Sequence, residues 1–181
     1  MSLTRHFTAE DVRGLPDDGN RYETVHGELL VTPAPGGFHQ LIVTDLLLTL
    51  GTYLKANGIR GLLASPADIS FDEDTLVQPD LFVADVAEFL PTGKWSDIRT
   101  LHLAIEVLSP STARADRGVK RRLYQEQRIA EYWIVDIDQK QIEVWTPDAL
   151  APEVQSDRIV WQHPALDVEC AVGVAGLFVW G

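Results

Sequence analysis

Two acidic residues stand inside apolar runs of the sequence, where an ionised carboxylate is costly to bury unless a partner compensates its charge. Asp80 follows Pro79 in the run LVQPDLFVAD, and Glu106 stands in the run LHLAIEVLS. Both runs are typical of β-strands, and if the two strands pair, the two carboxylates become neighbours. Paired carboxylates suit Mg²⁺, a hard cation that prefers oxygen ligands. Each acid alone also has a simpler interpretation, since Asp80 could be a turn residue and Glu106 a solvated strand-end residue.

A lysine with the right reach for such a site lies in a predicted helix further along the chain. Asp116, Lys120 and Tyr124 are spaced four apart, so a helix would present them on one face. If the first turns of this helix lay over the end of the Glu106 strand, Lys120 could reach a water bound to the metal. The alternative is a solvated face, on which Asp116 and Lys120 form a surface ion pair or Asp116 caps the helix. The basic cluster in residues 114–128 has the same solvated interpretation.

The helix and strand signals around these residues predict a mixed α/β fold. Thr8 in TAED is a predicted N-cap of a short helix, and His26-Gly27 is a predicted hairpin turn. The stretch GGFHQLIVTDLLLTLGTYLKANG has apolar residues at helical spacing and ends at Asn57-Gly58, which predicts a long helix. Strand-like runs on either side of a second helix, ADRGVKRRLYQEQR, then predict a central mixed β-sheet flanked by helices. Pro79 cannot donate a ladder hydrogen bond, which predicts a sheet edge or a bulge just before Asp80.

Composition and charge exclude several classes of protein. The chain has 181 residues, 45% hydrophobic and 23% charged, which is ordinary for one globular domain, predicted as residues 1–181. No secretory signal and no membrane-spanning run are recognisable, so a cytoplasmic location without a membrane partner is expected. The single cysteine, Cys170, excludes an internal disulfide and is predicted to be a buried apolar residue. The net charge of −12 argues against nucleic-acid binding by bulk attraction but leaves room for a nuclease with a local basic patch.

Six motifs occur in a fixed order along residues 20–146. They are YETVHGELL, PAPGGFHQ, QPDL, AIEVLSPST, DRGVKRRLY and EYWIVD. On these motifs the chain resembles the Uma-two family of restriction-endonuclease-like proteins, within the PD-(D/E)xK nuclease superfamily. The resemblance implies a restriction-endonuclease-like fold and an endonuclease that hydrolyses phosphodiester bonds in DNA.

The resemblance also implies roles for particular residues. Asp80 and Glu106 match the two motif acids, so both would be catalytic and bind Mg²⁺ (or Mn²⁺), with the carbonyl of Val107 as a backbone ligand. The superfamily pattern has a lysine two residues after the second acid, but the chain has Leu108 there. The resemblance therefore makes Lys120 the candidate catalytic lysine, because related folds carry this lysine on a helix.

Further acids and a histidine are additional candidates for the site. Glu28, or Glu23 in the same predicted hairpin, could supply one more carboxylate. His39 begins the predicted long helix and could contact the metal, a water or a phosphate, although a histidine there is more often a surface or capping residue.

A second hypothesis belongs to a different class of protein. Leu108 and the net charge of −12 also fit a catalytically silent dimeric scaffold or binding protein of the same fold. The aromatic residues of EYWIVD and of the C-terminal VAGLFVWG would fill the core or a dimer interface, and a homodimer is expected. A basic rim around Asp80, Glu106 and Lys120 would favour DNA, whereas an acidic rim would favour the silent protein.

Overall fold

The computed structural model describes residues 5–180, which form a mixed α/β fold. In chain order the strands are β1 (Arg21–Val25), β2 (Glu28–Thr32), β3 (Leu62–Ala64), β4 (Ile69–Asp72), β5 (Thr75–Val77), β6 (Leu81–Ala84), β7 (Leu101–Val107), β8 (Glu131–Asp136), β9 (Gln141–Trp145), β10 (Glu153–Gln155), β11 (Arg158–Trp161) and β12 (Cys170–Gly173). The α-helices are α1 (Ala9–Arg13), α2 (Gly37–Ala56), α3 (Val86–Phe89), α4 (Ala113–Ala115) and α5 (Arg121–Glu126). A π-helical turn, Asp116–Lys120, joins α4 to α5, and 3₁₀ turns occur at Trp95–Asp97 and Ala175–Phe178.

The strands form a large sheet, a small sheet and a separate β11–β12 pair. The large sheet has the spatial order β10-β9-β8-β7-β6-β3, and its neighbours are antiparallel except for the parallel pair β7 and β8. Parallel neighbours require a crossover, and here it runs through α4, the π-helical turn and α5. The small sheet has the order β2-β1-β5-β4 and is antiparallel throughout.

Helix α2 covers one face of the large sheet. Its buried apolar residues recur every four positions, so they form one stripe along the helix. They are Ile42, Leu46, Leu50 and Leu54. This stripe belongs to the same apolar cluster as Leu103, Ile105 and Val107 of β7, which alternate along the strand and therefore share its α2 face.

The small sheet and α5 cover the opposite face of the large sheet. Leu123 and Tyr124 of α5 cluster there with Ala104 of β7 and with Val25 and Val77 of the small sheet. Glu106 follows Ala104 by two residues, so its carboxylate emerges on this face, between the large sheet, the small sheet and the helical crossover.

Pro79 stands where the chain passes from one sheet to the other. The run LVQPDLFVAD, which has the composition of one strand, is divided into β5 in the small sheet and β6 in the large sheet. The predicted sheet edge or bulge is therefore wrong. Pro79 lies instead in a crossing between two sheets, where its missing N–H is not needed for a ladder hydrogen bond. The crossing leaves Asp80 at the first position before β6, where both sheets are close.

The helical crossover is interrupted by its π-helical turn. The wider turn spans Asp116–Lys120, and both of these end residues are buried. π-helical turns are rare in proteins as a whole, but those that occur are often found at functional sites. The second helix is therefore found where it was predicted, but a π-helical turn divides it into α4 and α5.

Most predicted elements are confirmed. Thr8 caps α1 in a capping box, and His26-Gly27 forms the turn between β1 and β2. Helix α2 ends at Ala56, immediately before Asn57-Gly58. Cys170 is buried and free. Among residues 5–180, no helix is both long and apolar enough to cross a membrane.

The loop that enters β3 provides a test of this packing. Gly61 has a φ of +124°, and an added Cβ would lie 2.3 Å from the carbonyl oxygen of Ala84 in β6. Gly61→Ala should therefore lower the free energy of unfolding by about 3 kcal/mol, from backbone strain and a clash with a backbone atom. Gly58→Ala is the matched control, because Gly58 has a φ of +73° but open space around it, and should cost about 1 kcal/mol. Urea denaturation of both variants measures the difference, and equal losses would contradict the described contact.

Candidate active site

Asp80 is held in one orientation by three donors. Its Oδ1 accepts a hydrogen bond from Nη1 of Arg21 at 2.8 Å. Its Oδ2 accepts from the backbone N–H of Val107 at 2.9 Å and from Nε2 of His39 at 3.0 Å. Burial by itself would raise the pKa of Asp80, but the hydrogen bond from His39 and the charge of Arg21 hold that pKa well below its usual range. Asp80 is therefore a fixed, ionised carboxylate.

The register of the large sheet brings Glu106 beside Asp80. Leu81 pairs with Ile105 across the antiparallel β6–β7 ladder, so the next residues outward, Asp80 and Glu106, face each other. Glu106 is buried, forms an ion pair with Lys120, and accepts a hydrogen bond from the hydroxyl of Tyr124 at 3.2 Å. Burial raises the pKa of Glu106, and the negative charge of Asp80 raises it further. The positive charge of Lys120 lowers it, but by less than burial raises it.

Lys120 lies at the centre of the cluster and is only 1% exposed. Its Nζ contacts the carboxylate of Glu106, lies 3.0 Å from Oε1 of Glu23 and lies 3.6 Å from Oδ1 of Asp116. Burial alone would lower the pKa of Lys120, but these three carboxylates raise it above its usual value, so the ammonium form persists. The alternative of a solvated ion pair is wrong for this lysine, because the crossover packs it against both sheets.

The N-terminal hairpin supplies Arg21 and Glu23, which alternate on β1 and so share a face. Glu23 Oε1 accepts a hydrogen bond from the backbone N–H of Gln78 at 2.7 Å, which ties the hairpin to the sheet crossing. Arg21 was not among the residues predicted from the motifs, although its spacing of two from Glu23 could have indicated it. Glu28 pairs with Val25 beside the turn and is exposed. The hairpin therefore contributes Glu23 to this cluster, while Glu28 lies outside it.

His39 is buried in the first turn of α2 and is 7% exposed. The expectation of a surface or capping histidine is therefore wrong, because α2 packs with this residue turned towards Asp80. Its Nε2 bonds to Asp80, whereas its Nδ1 is buried and has no hydrogen-bond partner among the described residues. His39 thus fixes the orientation of Asp80 and keeps one polar atom free at the site.

Leu108 is a core residue in this structure. Its side chain belongs to the apolar cluster on the Glu106 face of the sheet, and its N–H donates to the carbonyl of Val135 at 2.9 Å. A lysine there would place its charge among apolar side chains, at a high desolvation cost. The crossover instead brings the ammonium of Lys120 to Glu106.

A groove of about 930 Å³ opens beside Asp80. Its walls come from the β1–β2 hairpin, the start of α2 and the loop that follows β7, and they include Val107, Ser109 and Ser111. The charged side chains that line it are Arg13, Arg21, Asp17, Asp68 and Asp80. The groove can admit an extended ligand, but its lining is not predominantly basic.

The cluster carries more carboxylates than cations. Four acids, Asp80, Glu106, Glu23 and Asp116, surround the two permanent cations Lys120 and Arg21, which leaves a formal excess of two negative charges. One oxygen, Oδ2 of Asp116, is buried without a hydrogen-bond partner. A divalent cation that prefers oxygen ligands would cancel this excess, so the donor set fits such an ion.

The chain has a restriction-endonuclease-like fold, and a buried cluster of acids around one lysine lies between its two sheets. The fold is similar to a solved structure from Anabaena variabilis ATCC 29413, described as "a putative nuclease belonging to DUF820", with a TM-score of 0.75 and 20% sequence identity over 95% of this chain and 97% of that chain. The profile of the Uma2 family, described as "Putative restriction endonuclease", matches residues 9–173. The chain therefore belongs to the Uma2 family, as the motifs predicted. No curated protein matches it.

The charge balance of the cluster predicts opposite effects for two substitutions. Lys120→Met leaves the buried acids without their central cation and should lower the free energy of unfolding by about 3–5 kcal/mol. Glu106→Gln removes one negative charge from an over-acidic cluster, so stability without metal should hold or rise. Thermal and urea denaturation in the presence of a chelator measure both effects.

The control for this pair is Lys55→Met, because Lys55 is an exposed lysine of α2. If Lys120→Met unfolds no more easily than Lys55→Met, the central position of Lys120 in the cluster is contradicted.

Proposed function

We propose that this protein is a metal-dependent endonuclease that hydrolyses phosphodiester bonds in DNA. The observation that carries the proposal is the contact between Lys120 and Glu106 beside the fixed carboxylate of Asp80. It unites two acids and one lysine, the set that the nuclease superfamily uses, although the lysine comes from the helical crossover. Membership of the Uma2 family supports hydrolysis of nucleic acid as the reaction class.

Asp80 and Glu106, together with the carbonyl of Val107, are the residues that would hold Mg²⁺ or Mn²⁺. When bound there, the ion would polarise a phosphoryl oxygen and lower the pKa of a bound water. The N–H of Val107 and the ring of His39 keep the Asp80 carboxylate in place, so little reorganisation is needed before a ligand binds.

Lys120 would help to stabilise developing negative charge and to position the attacking water. Its ammonium is held against Glu106, so it would act beside that carboxylate: it would orient a water bound there and add positive charge to the site without contacting the phosphate directly. In the net reaction the oxygen of water bonds to phosphorus and one phosphorus–oxygen ester bond breaks. One proton of the water goes to solvent, and the leaving oxygen takes up a proton, so that a phosphate monoester and a hydroxyl group result.

A catalytically silent binding protein is the second candidate. The groove lining favours it, because Arg13 and Arg21 face three aspartates and no basic rim surrounds the site among the described residues. The homodimer expected from the sequence stays a prediction for either candidate. Phe38 and Trp180, whose rings lie 4.9 Å apart on the surface, are apolar side chains available to a partner copy, and sedimentation velocity will measure the oligomeric state.

Cleavage assays distinguish the two candidates. With Mg²⁺ or Mn²⁺ the wild-type protein should cleave DNA, and Asp80→Asn and Glu106→Gln should each lower the rate by about a hundredfold or more, since each removes charge on which transition-state stabilisation depends. Lys120→Met should lower the rate without abolishing metal binding, which calorimetry measures. Rates of this variant are measured at a temperature where circular dichroism shows it to be folded.

Glu28→Gln is the matched control, because Glu28 is an exposed acid of the same hairpin that lies outside the cluster. It should cleave as fast as wild type. Absence of cleavage on single-stranded DNA, double-stranded DNA and RNA with either metal would overturn the proposal in favour of the silent protein. Cleavage by the Asp80 and Glu106 variants at the wild-type rate would reveal a contaminating nuclease.

A further inference from the structure

Arg21 is the one permanent cation of the described cluster that also borders the groove. Its side chain is 20% exposed, whereas that of Lys120 is 1% exposed. Nη1 holds Oδ1 of Asp80 at 2.8 Å, and Nε lies 3.8 Å from Glu23 and is buried without a hydrogen-bond partner. The guanidinium of Arg21 is therefore bonded to Asp80 through Nη1, while its Nε makes no hydrogen bond among the described residues.

The oxygen of Asp80 that Arg21 holds is one that a metal ion would need. Oδ2 already accepts two hydrogen bonds, from Val107 and His39. Oδ1 is left as the oxygen most easily offered to a cation, and Arg21 occupies it. A divalent cation and a guanidinium at hydrogen-bond distance from the same oxygen would repel each other strongly in a buried site. Arg21 and the metal ion should therefore compete for Asp80.

We infer that Arg21 is an exchangeable counter-ion, which neutralises Asp80 in the metal-free protein and turns to a substrate phosphate when a metal ion binds. This inference rests on the proposed function, since it needs both a metal ion at Asp80 and a phosphodiester in the groove. The planar fork of an arginine pairs with a phosphate as well as with a carboxylate. Lys120 cannot take this part, because three carboxylates surround it away from the groove.

The exchange couples metal binding to substrate binding. Without metal, Arg21 is engaged with Asp80 and the groove presents aspartates to an incoming phosphate, so substrate binding is weak. With metal, the released guanidinium adds a positive charge to the groove wall. Because such coupling is reciprocal, a phosphodiester should also tighten the binding of the metal.

Metal affinity without turnover tests the competition directly. Calorimetry with Mn²⁺ should give an affinity about tenfold higher for Arg21→Met than for wild type, in the range usual for coupled sites. Arg13→Met is the matched control, because Arg13 also lines the groove but contacts Ser70 and Asp68 and not the acid cluster. Its affinity for Mn²⁺ should equal that of wild type. An unchanged or lower affinity in Arg21→Met would overturn the inference.

A second measurement uses Ca²⁺, which commonly occupies oxygen sites without supporting hydrolysis, and a fluorescent 20-nucleotide DNA. In the wild-type protein, Ca²⁺ should tighten binding of the DNA by about tenfold. The gain should be smaller in Arg21→Met than in Arg13→Met. Equal gains in the two variants would overturn the exchange, and so would the absence of any gain in wild type, a result that does not require the Arg21 variant to fold.

The same measurements separate the two levels of the proposal. If wild type binds Mn²⁺ and Asp80→Asn does not, but Arg21→Met behaves as wild type, the metal site stands and the exchange by Arg21 is overturned. If wild type binds neither Mn²⁺ nor Ca²⁺, the proposed function and the exchange are both overturned.

Discussion

The structure depends on one buried ammonium. Lys120 is surrounded by Glu23 from the small sheet, Glu106 from the large sheet and Asp116 from its own helical turn. Three parts of the fold thus meet at a single charge, and loss of that charge would leave three buried carboxylates without the cation they share, at a high cost in stability. The same contact holds the lysine at the acid where a nuclease would need it, so the fold and the candidate chemistry rely on one interaction.

Local backbone features make this convergence possible. Pro79 lies in the crossing between the end of β5 and the start of β6, and Asp80 follows it directly, opposite Glu106. The π-helical turn in the crossover carries Asp116 and Lys120 inward, both of them buried. A regular strand and a regular helix would have been simpler elements, and the departure from both occurs at the polar cluster. Natural proteins break local rules most often at functional sites.

Much of the fold could be predicted from the sequence because its signals are local. The helical spacing of apolar residues in α2, the turn at His26-Gly27 and the cap at Thr8 depend only on neighbouring residues. The division of LVQPDLFVAD between two sheets could not be predicted, since it depends on which distant strands accept each half.

The candidate site was less accessible to sequence reasoning than the fold. Asp80, Glu106 and Lys120 stand in motifs, and the structure brings them together, but their roles in metal binding and catalysis stay predictions. Arg21 lies one residue before the motif YETVHGELL and was not identified from it, and burial of His39 depends on how α2 packs on the sheet. The groove lining is a further surprise, because its aspartates lower the attraction for DNA that a nuclease would use. The metal site itself can be tested by the anomalous-scattering map of a crystal soaked with Mn²⁺. One peak coordinated by carboxylate oxygens of Asp80 and Glu106 is expected, and a map without a peak at these residues, at an ion concentration that fills other sites, would rule out the site.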